Sequence, residues 1–95
     1  MPSVKIRYFA SARELVNLRE EVIELTPPST VLDVLNLLIH RHEKLKDYLF
    51  DQKTGNPRPY LQFMVDDNLI SKLNGFETSL KNDCSFSIIP PVGGG

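Results

Sequence analysis

The sequence predicts an α+β domain in which one main helix lies across one face of a mixed sheet. Three observations carry that expectation. Val4, Ile6 and Tyr8 alternate with Lys5 and Arg7, the period-two pattern of a strand with one buried face. Val31, Val34, Leu35, Leu38 and Ile39 recur at the three-and-four spacing of one helix face. Ser85, Phe86, Ser87, Ile88 and Ile89 form a further strand-like run near the last residue. Ninety-five residues make one small domain, 1–95, with a single core layer and too little chain for a cleft between domains.

Each element has its own signal. After the first strand, Ser11-Ala12-Arg13-Glu14 has capping-box spacing, which predicts a short helical connector through Leu15 or Val16. Glu21 to Leu25 favours a second strand, paired hairpin-fashion with the first and ended by Thr26-Pro27-Pro28-Ser29, since neither proline can donate to a ladder. Thr30 is the expected N-cap of the main helix, with Asp33 at N3, and Leu45, Tyr48 and Leu49 extend its apolar cover past its end. Asp51 to Pro59 is turn chemistry throughout and reads as a surface loop. Leu61, Phe63 and Val65 make a third strand, Asp66-Asp67-Asn68 a turn, and Leu69 and Ile70 a short fourth strand. Asn74-Gly75 and Lys81-Asn82-Asp83 mark turns before the last strand. Strand, strand, helix, two strands, final strand is the order of a ubiquitin-like β-grasp.

Composition narrows the function classes. Eleven Lys and Arg stand against twelve Asp and Glu, a net charge of −1, so there is no electrostatic footprint for nucleic acid or an anionic membrane. Proteins are the expected partners. Cys84 is the single cysteine, which leaves no internal disulfide and no cysteine metal cluster and points to the cytoplasm. It reads as a small apolar filler, because no histidine neighbours it in sequence. Met1-Pro2-Ser3-Val4-Lys5 lacks an apolar signal core, and no run approaches the ~20 apolar residues that span a bilayer. His40 and His42 project about 200° apart on a helix and cannot share a metal; His42 reads as a helix-end packing residue. Asp66-Asp67 has no further oxygen ligands at loop spacing, and neither a serine elbow nor a phosphate-cradling glycine loop is present.

Two features stand out against that background. Strand parity turns Phe9, Met64 and Ile89 away from the helix, onto the sheet face that meets water, which suggests a contact surface. Phe9 and Ile89 become neighbours if the first and last strands pair in parallel. The second feature is the ending, Ile88-Ile89-Pro90-Pro91-Val92-Gly93-Gly94-Gly95. Glycine can thread a slot that excludes any larger side chain, and the prolines stiffen what precedes it. From Val92 to Gly95 an extended chain reaches roughly 13 Å. With side-chain chemistry sparse elsewhere, the Gly95 carboxylate is the candidate reactive group; a frayed or engineered end is the alternative.

These residues resemble a known family. Val4-Lys5-Ile6-Arg7-Tyr8-Phe9-Ala10-Ser11-Ala12-Arg13-Glu14-Leu15, Thr30-Val31-Leu32-Asp33-Val34-Leu35 and the Pro-Pro-Val-x-Gly-Gly ending are similar to the small subunit of molybdopterin synthase, over nearly the whole chain. Gly93 departs from the pattern, standing where the family more often has alanine, serine or threonine. Lys46 to Pro59 is longer than in the shortest members and resembles archaeal versions, which keeps open a role as a protein modifier.

The resemblance implies a sulfur carrier. An activating enzyme similar to ubiquitin activators uses ATP to adenylate the Gly95 carboxylate, and a sulfurtransferase then supplies the sulfur of a thiocarboxylate. Two small subunits dock on a dimer of large subunits, a heterotetramer, and each tail, with Val92, Gly93 and Gly94, enters a site where sulfur passes to cyclic pyranopterin monophosphate. That transfer makes the molybdopterin dithiolene of molybdenum cofactor biosynthesis. The small subunit itself binds no cofactor and no metal, and catalytic side chains belong to the large subunit. Phe9, Ile89, Met64 and Leu69 are the docking candidates. A ubiquitin-like modifier forming isopeptides through Gly95, a sulfur carrier for thiamin or tRNA thiolation, and an adaptor with an idle tail are the alternatives.

Overall fold

A computed structural model describes residues 3–26 and 29–91. Strands β1 (Ser3–Tyr8), β2 (Glu20–Glu24), β3 (Gln62–Val65), β4 (Asn68–Leu69) and β5 (Cys84–Ile89) form one sheet in the order β2-β1-β5-β3-β4. The sheet is mixed. β1 runs parallel to β5, with Val4 opposite Cys84 and Tyr8 opposite Ile88, and antiparallel to β2. β5 pairs antiparallel with β3 on its other side. The chain adopts the expected β-grasp, and its first and last strands lie side by side at the centre of the sheet.

The core lies between this sheet and helix α2 (Val31–Arg41). Val4, Ile6, Tyr8, Phe86 and Ile88 alternate inward and are almost fully buried, against Val31, Val34, Leu35 and Leu38 of the helix. Phe63 stacks on Phe86 at 5.7 Å and meets Phe76 edge-on at 5.8 Å. Each such side chain stabilises the fold by about 1.5–3 kcal/mol through area removed from water. The start of α2 is fixed by a reciprocal cap: the Thr30 hydroxyl accepts from Asp33 N at 3.3 Å, and the Asp33 carboxylate accepts from Thr30 N at 2.9 Å. Among the described residues no helix is long and apolar enough to cross a membrane.

Several elements differ from the sequence expectation. The connector helix α1 (Ala10–Val16) is capped by Phe9 rather than opened at Ser11, and it has no side-chain cap. Ala10 adopts φ +48°, which turns the chain sharply out of β1, so the Phe9 carbonyl accepts from the Ala12 and Arg13 N–H groups. Ser11 therefore lies inside the helix, and its hydroxyl bonds the Tyr48 phenol at 2.6 Å. Leu45 to Leu49, expected only as apolar cover, forms the single-turn helix α3, with Leu45 and Leu49 buried. Ile70 leaves the fourth strand and opens a 3₁₀ turn over Ile70–Lys72. Asp66 and Asp67 both take positive φ, 48° and 68°, the geometry of a two-residue hairpin loop joining β3 to β4. The Asp51–Pro59 segment is a loop as expected, pinned by a bridge between Phe50 and Pro57. Pro27 and Pro28, expected to end β2, lie outside the described residues.

Candidate functional site

One helix layer leaves the opposite sheet face uncovered, and the register arranges it in rows. Glu20, Arg7, Ser87, Met64 and Leu69 lie directly opposite one another across all five strands. Ile89 is opposite Gln62 in the next row, and Phe9, just past the end of β1, continues the parallel register beside it. The structure thus brings the four residues named from sequence parity and resemblance, Phe9, Ile89, Met64 and Leu69, onto one face, each half-buried. Strand alternation was the signal that found Phe9, Met64 and Ile89, and parallel pairing of β1 with β5 makes Phe9 and Ile89 neighbours. Val92, Gly93, Gly94 and Gly95 lie outside the described residues.

Two hollows flank the face. Ser11, Tyr48, Tyr60 and Pro91 line an open cleft of about 530 Å³ where the chain leaves β5. On the far side a groove of about 520 Å³ runs between Pro57–Pro59, Leu69, Ile70 and Phe76, adjoining the open sheet face through Leu69 and Gln62. Sequence reasoning found neither, since each joins segments distant along the chain. Tyr60, 53% exposed, is the most open aromatic at the exit cleft.

Electrostatics on the face centres on Arg7, whose guanidinium lies over the Phe9 ring, 5.7 Å from its centroid. Glu20, opposite Arg7, reaches Lys5 instead, at 3.9 Å. The strongest polar cluster sits elsewhere, at the helix side of the β2 edge. There the Glu21 carboxylate accepts from the Tyr8 phenol at 2.6 Å and from Arg41 Nε at 3.1 Å, and contacts His42 Nε2 at 2.6 Å. His42 also meets the Tyr8 ring edge-on at 6.1 Å, so its packing role holds, joined by a polar one that the sequence did not show. Burial alone raises the Glu21 pKa, but the Tyr8 and His42 hydrogen bonds and the nearby positive charge outweigh it and hold the carboxyl below the usual range.

Cys84 is buried, and burial, reinforced by the negative charge of Asp66, pushes its thiol up. A thiol held protonated is a weak nucleophile, in keeping with a filler role. Among the described residues no group of three or more His, Cys, Asp or Glu side chains is placed to hold a metal ion. The arrangement presents a half-buried apolar face of Phe9, Met64, Leu69 and Ile89, with Pro90 and Pro91 following directly on β5.

Known proteins share this fold. Residues 6–95 match the sequence profile of the ThiS family. Small archaeal modifier protein 3 of Haloferax volcanii is 28% identical over 92 residues, which span 97% of this chain and 98% of that protein. The solution structure of small archaeal modifier protein 1 from Methanosarcina acetivorans superposes with a TM-score of 0.88 at 30% identity, covering 100% of this chain and 98% of that one. A provisionally assigned molybdopterin converting factor subunit 1 from Pyrococcus furiosus gives 0.78 at 27% identity, over 97% and 100% of the two chains.

Proposed function

Because the chain belongs to the ThiS family of ubiquitin-like small proteins, we propose that it is a sulfur carrier that works through the carboxylate of Gly95. A carboxylate is a poor acyl electrophile, and adenylation by an ATP-using partner gives it a leaving group. Glycine leaves the carbonyl unhindered, so a sulfur nucleophile reaches it without steric cost. The thiocarboxylate formed is then delivered to a large synthase subunit, where it supplies sulfur to cyclic pyranopterin monophosphate. The observation that carries this reading is the face of Phe9, Ile89, Met64 and Leu69 beside the strand that runs into Pro90, Pro91 and the glycines. A partner gripping that face holds the strand whose sequence continues into Pro90, Pro91 and the glycines. The resemblance to the Pyrococcus furiosus converting factor subunit supports the molybdopterin assignment.

A second reading is favoured by the likeness to two small archaeal modifier proteins: the same activated Gly95 is passed to lysines as an isopeptide. Mass spectrometry on protein purified from cells that contain the activating machinery separates the two. A carrier shows one sulfur-for-oxygen exchange at Gly95, and a modifier shows high-mass conjugates that vanish when Gly95 is deleted. A chain extended by one residue after Gly95 loses both signals. Persistence of function in the extended chain would sink the proposal in either form.

A further inference from the structure

We propose that Arg7 and Ser87 form a carboxylate-binding notch at the centre of the docking face, and that a partner protein seats an Asp or Glu side chain there. The inference rests on the reading that this face is where the partner docks. Serine is the small side chain in the row Arg7, Ser87, Met64, so the surface dips between two long neighbours. Although it points away from the helix, Ser87 is only 8% exposed. Its hydroxyl has no hydrogen-bond partner among the described residues, and it is not sealed from solvent, since no fully enclosed side-chain polar atom lacks a partner.

Arg7 stands directly opposite Ser87 on the neighbouring strand. No Asp or Glu lies within ion-pairing distance of it among the described residues, because Glu20 is turned to Lys5. The Arg7 guanidinium lies over the Phe9 ring, 5.7 Å from its centroid, and its N–H donors make no hydrogen bond to the described residues. A guanidinium and a hydroxyl on directly opposed positions of neighbouring strands supply donors for the two oxygens of one carboxylate. The surrounding Phe9, Ile89 and Met64 require apolar contacts from the same ligand, which a protein surface supplies and a free anion does not. One arginine with no acidic partner among the described residues, set in an apolar patch, therefore selects an acidic side chain within a complementary protein face.

The test is calorimetric titration of the full chain into the purified activating enzyme of the same organism, at 50 and 300 mM salt, with far-UV circular dichroism confirming that each variant is folded. Arg7→Ala is expected to weaken binding at least tenfold and to flatten its salt dependence, with Arg7→Lys in between. Ser87→Ala is expected to cost about threefold alone and nothing further in the Arg7→Ala background, as shared recognition of one group requires. Ile89→Asp is the control for the face as a whole. If Ile89→Asp abolishes binding while Arg7→Ala stays within twofold, the notch is wrong and the docking face stands. Weakening by Arg7→Ala with an unchanged salt slope also overturns the notch, since it assigns Arg7 to packing on Phe9 alone. If Ile89→Asp binds normally, the docking reading itself falls and the notch with it.

Discussion

Replacing Glu21 by Gln should destabilise the domain by about 2–3 kcal/mol. The carboxylate is 10% exposed and holds groups from two other segments: Tyr8 on β1, and Arg41 with His42 at the end of α2. A hydrogen bond to a charged group contributes about 1.5–3 kcal/mol, whereas a half-exposed ion pair such as that with Arg41 adds at most about 1. Glutamine keeps the shape and one acceptor oxygen, but it removes the charge and turns an N–H₂ group toward donors. The Tyr8 phenol or His42 then loses its acceptor. For a chain of this length the loss corresponds to a fall in Tm of roughly 10–20 °C. Urea unfolding followed by far-UV circular dichroism reads it without tryptophan, which the sequence lacks. Lys5→Gln, which removes the exposed pair with Glu20, is the control and should cost under about 0.5 kcal/mol. The acid limb is a second readout. The folded Glu21 carboxyl binds its proton less readily than the unfolded one, so its contribution is complete above the ordinary glutamate range near about 4.3 and fades as pH falls below it. Glu21→Gln should flatten that limb. A variant within about 0.5 kcal/mol of the parent, with the acid limb intact, would refute the reasoning.

Two further outcomes follow from the same geometry. Burial, the Glu21 hydrogen bond and the Glu21 charge all raise the Tyr8 phenol, so above about pH 10 the unfolded tyrosine ionises while the folded one does not, and stability declines. Tyr8→Phe should lessen that alkaline decline in urea midpoints measured from pH 8 to 11, and an unchanged slope would assign it to other groups. Thr30→Ala removes one half of the cap on α2 and should cost about 1 kcal/mol by urea titration; a loss below about 0.3 would mean that Asp33 alone holds the helix start.

The helix α2 was legible because its signals are local: Thr30 and Asp33 sit three apart, and the apolar stripe repeats within eleven residues. Strand parity was equally readable, and it placed Phe9, Met64 and Ile89 on the open face before any pairing was known. The start of α1 was not, since a left-handed Ala10 leaves no trace in residue type, and Ser11 looked like a cap while serving Tyr48 instead. Glu21 with Tyr8 and His42 was hidden for another reason. Those residues lie 13 and 21 positions from Glu21, and only the pairing of β2 with β1 and the end point of α2 bring them together. Arg7 and Ser87 read in sequence as ordinary polar strand positions; their adjacency is a property of register.

The parallel pairing of β1 with β5 also governs how the molecule bears load. A pull that separates the segment before β1 from the segment after β5 draws two adjacent strands in opposite directions along their own axes. The register from Val4–Cys84 to Tyr8–Ile88 is then sheared as a set, so its hydrogen bonds share the force rather than opening one at a time. β3 braces β5 from its other edge. A load applied between the two ends of the sheet is thus met by its two central strands together, with β5 held between β1 and β3.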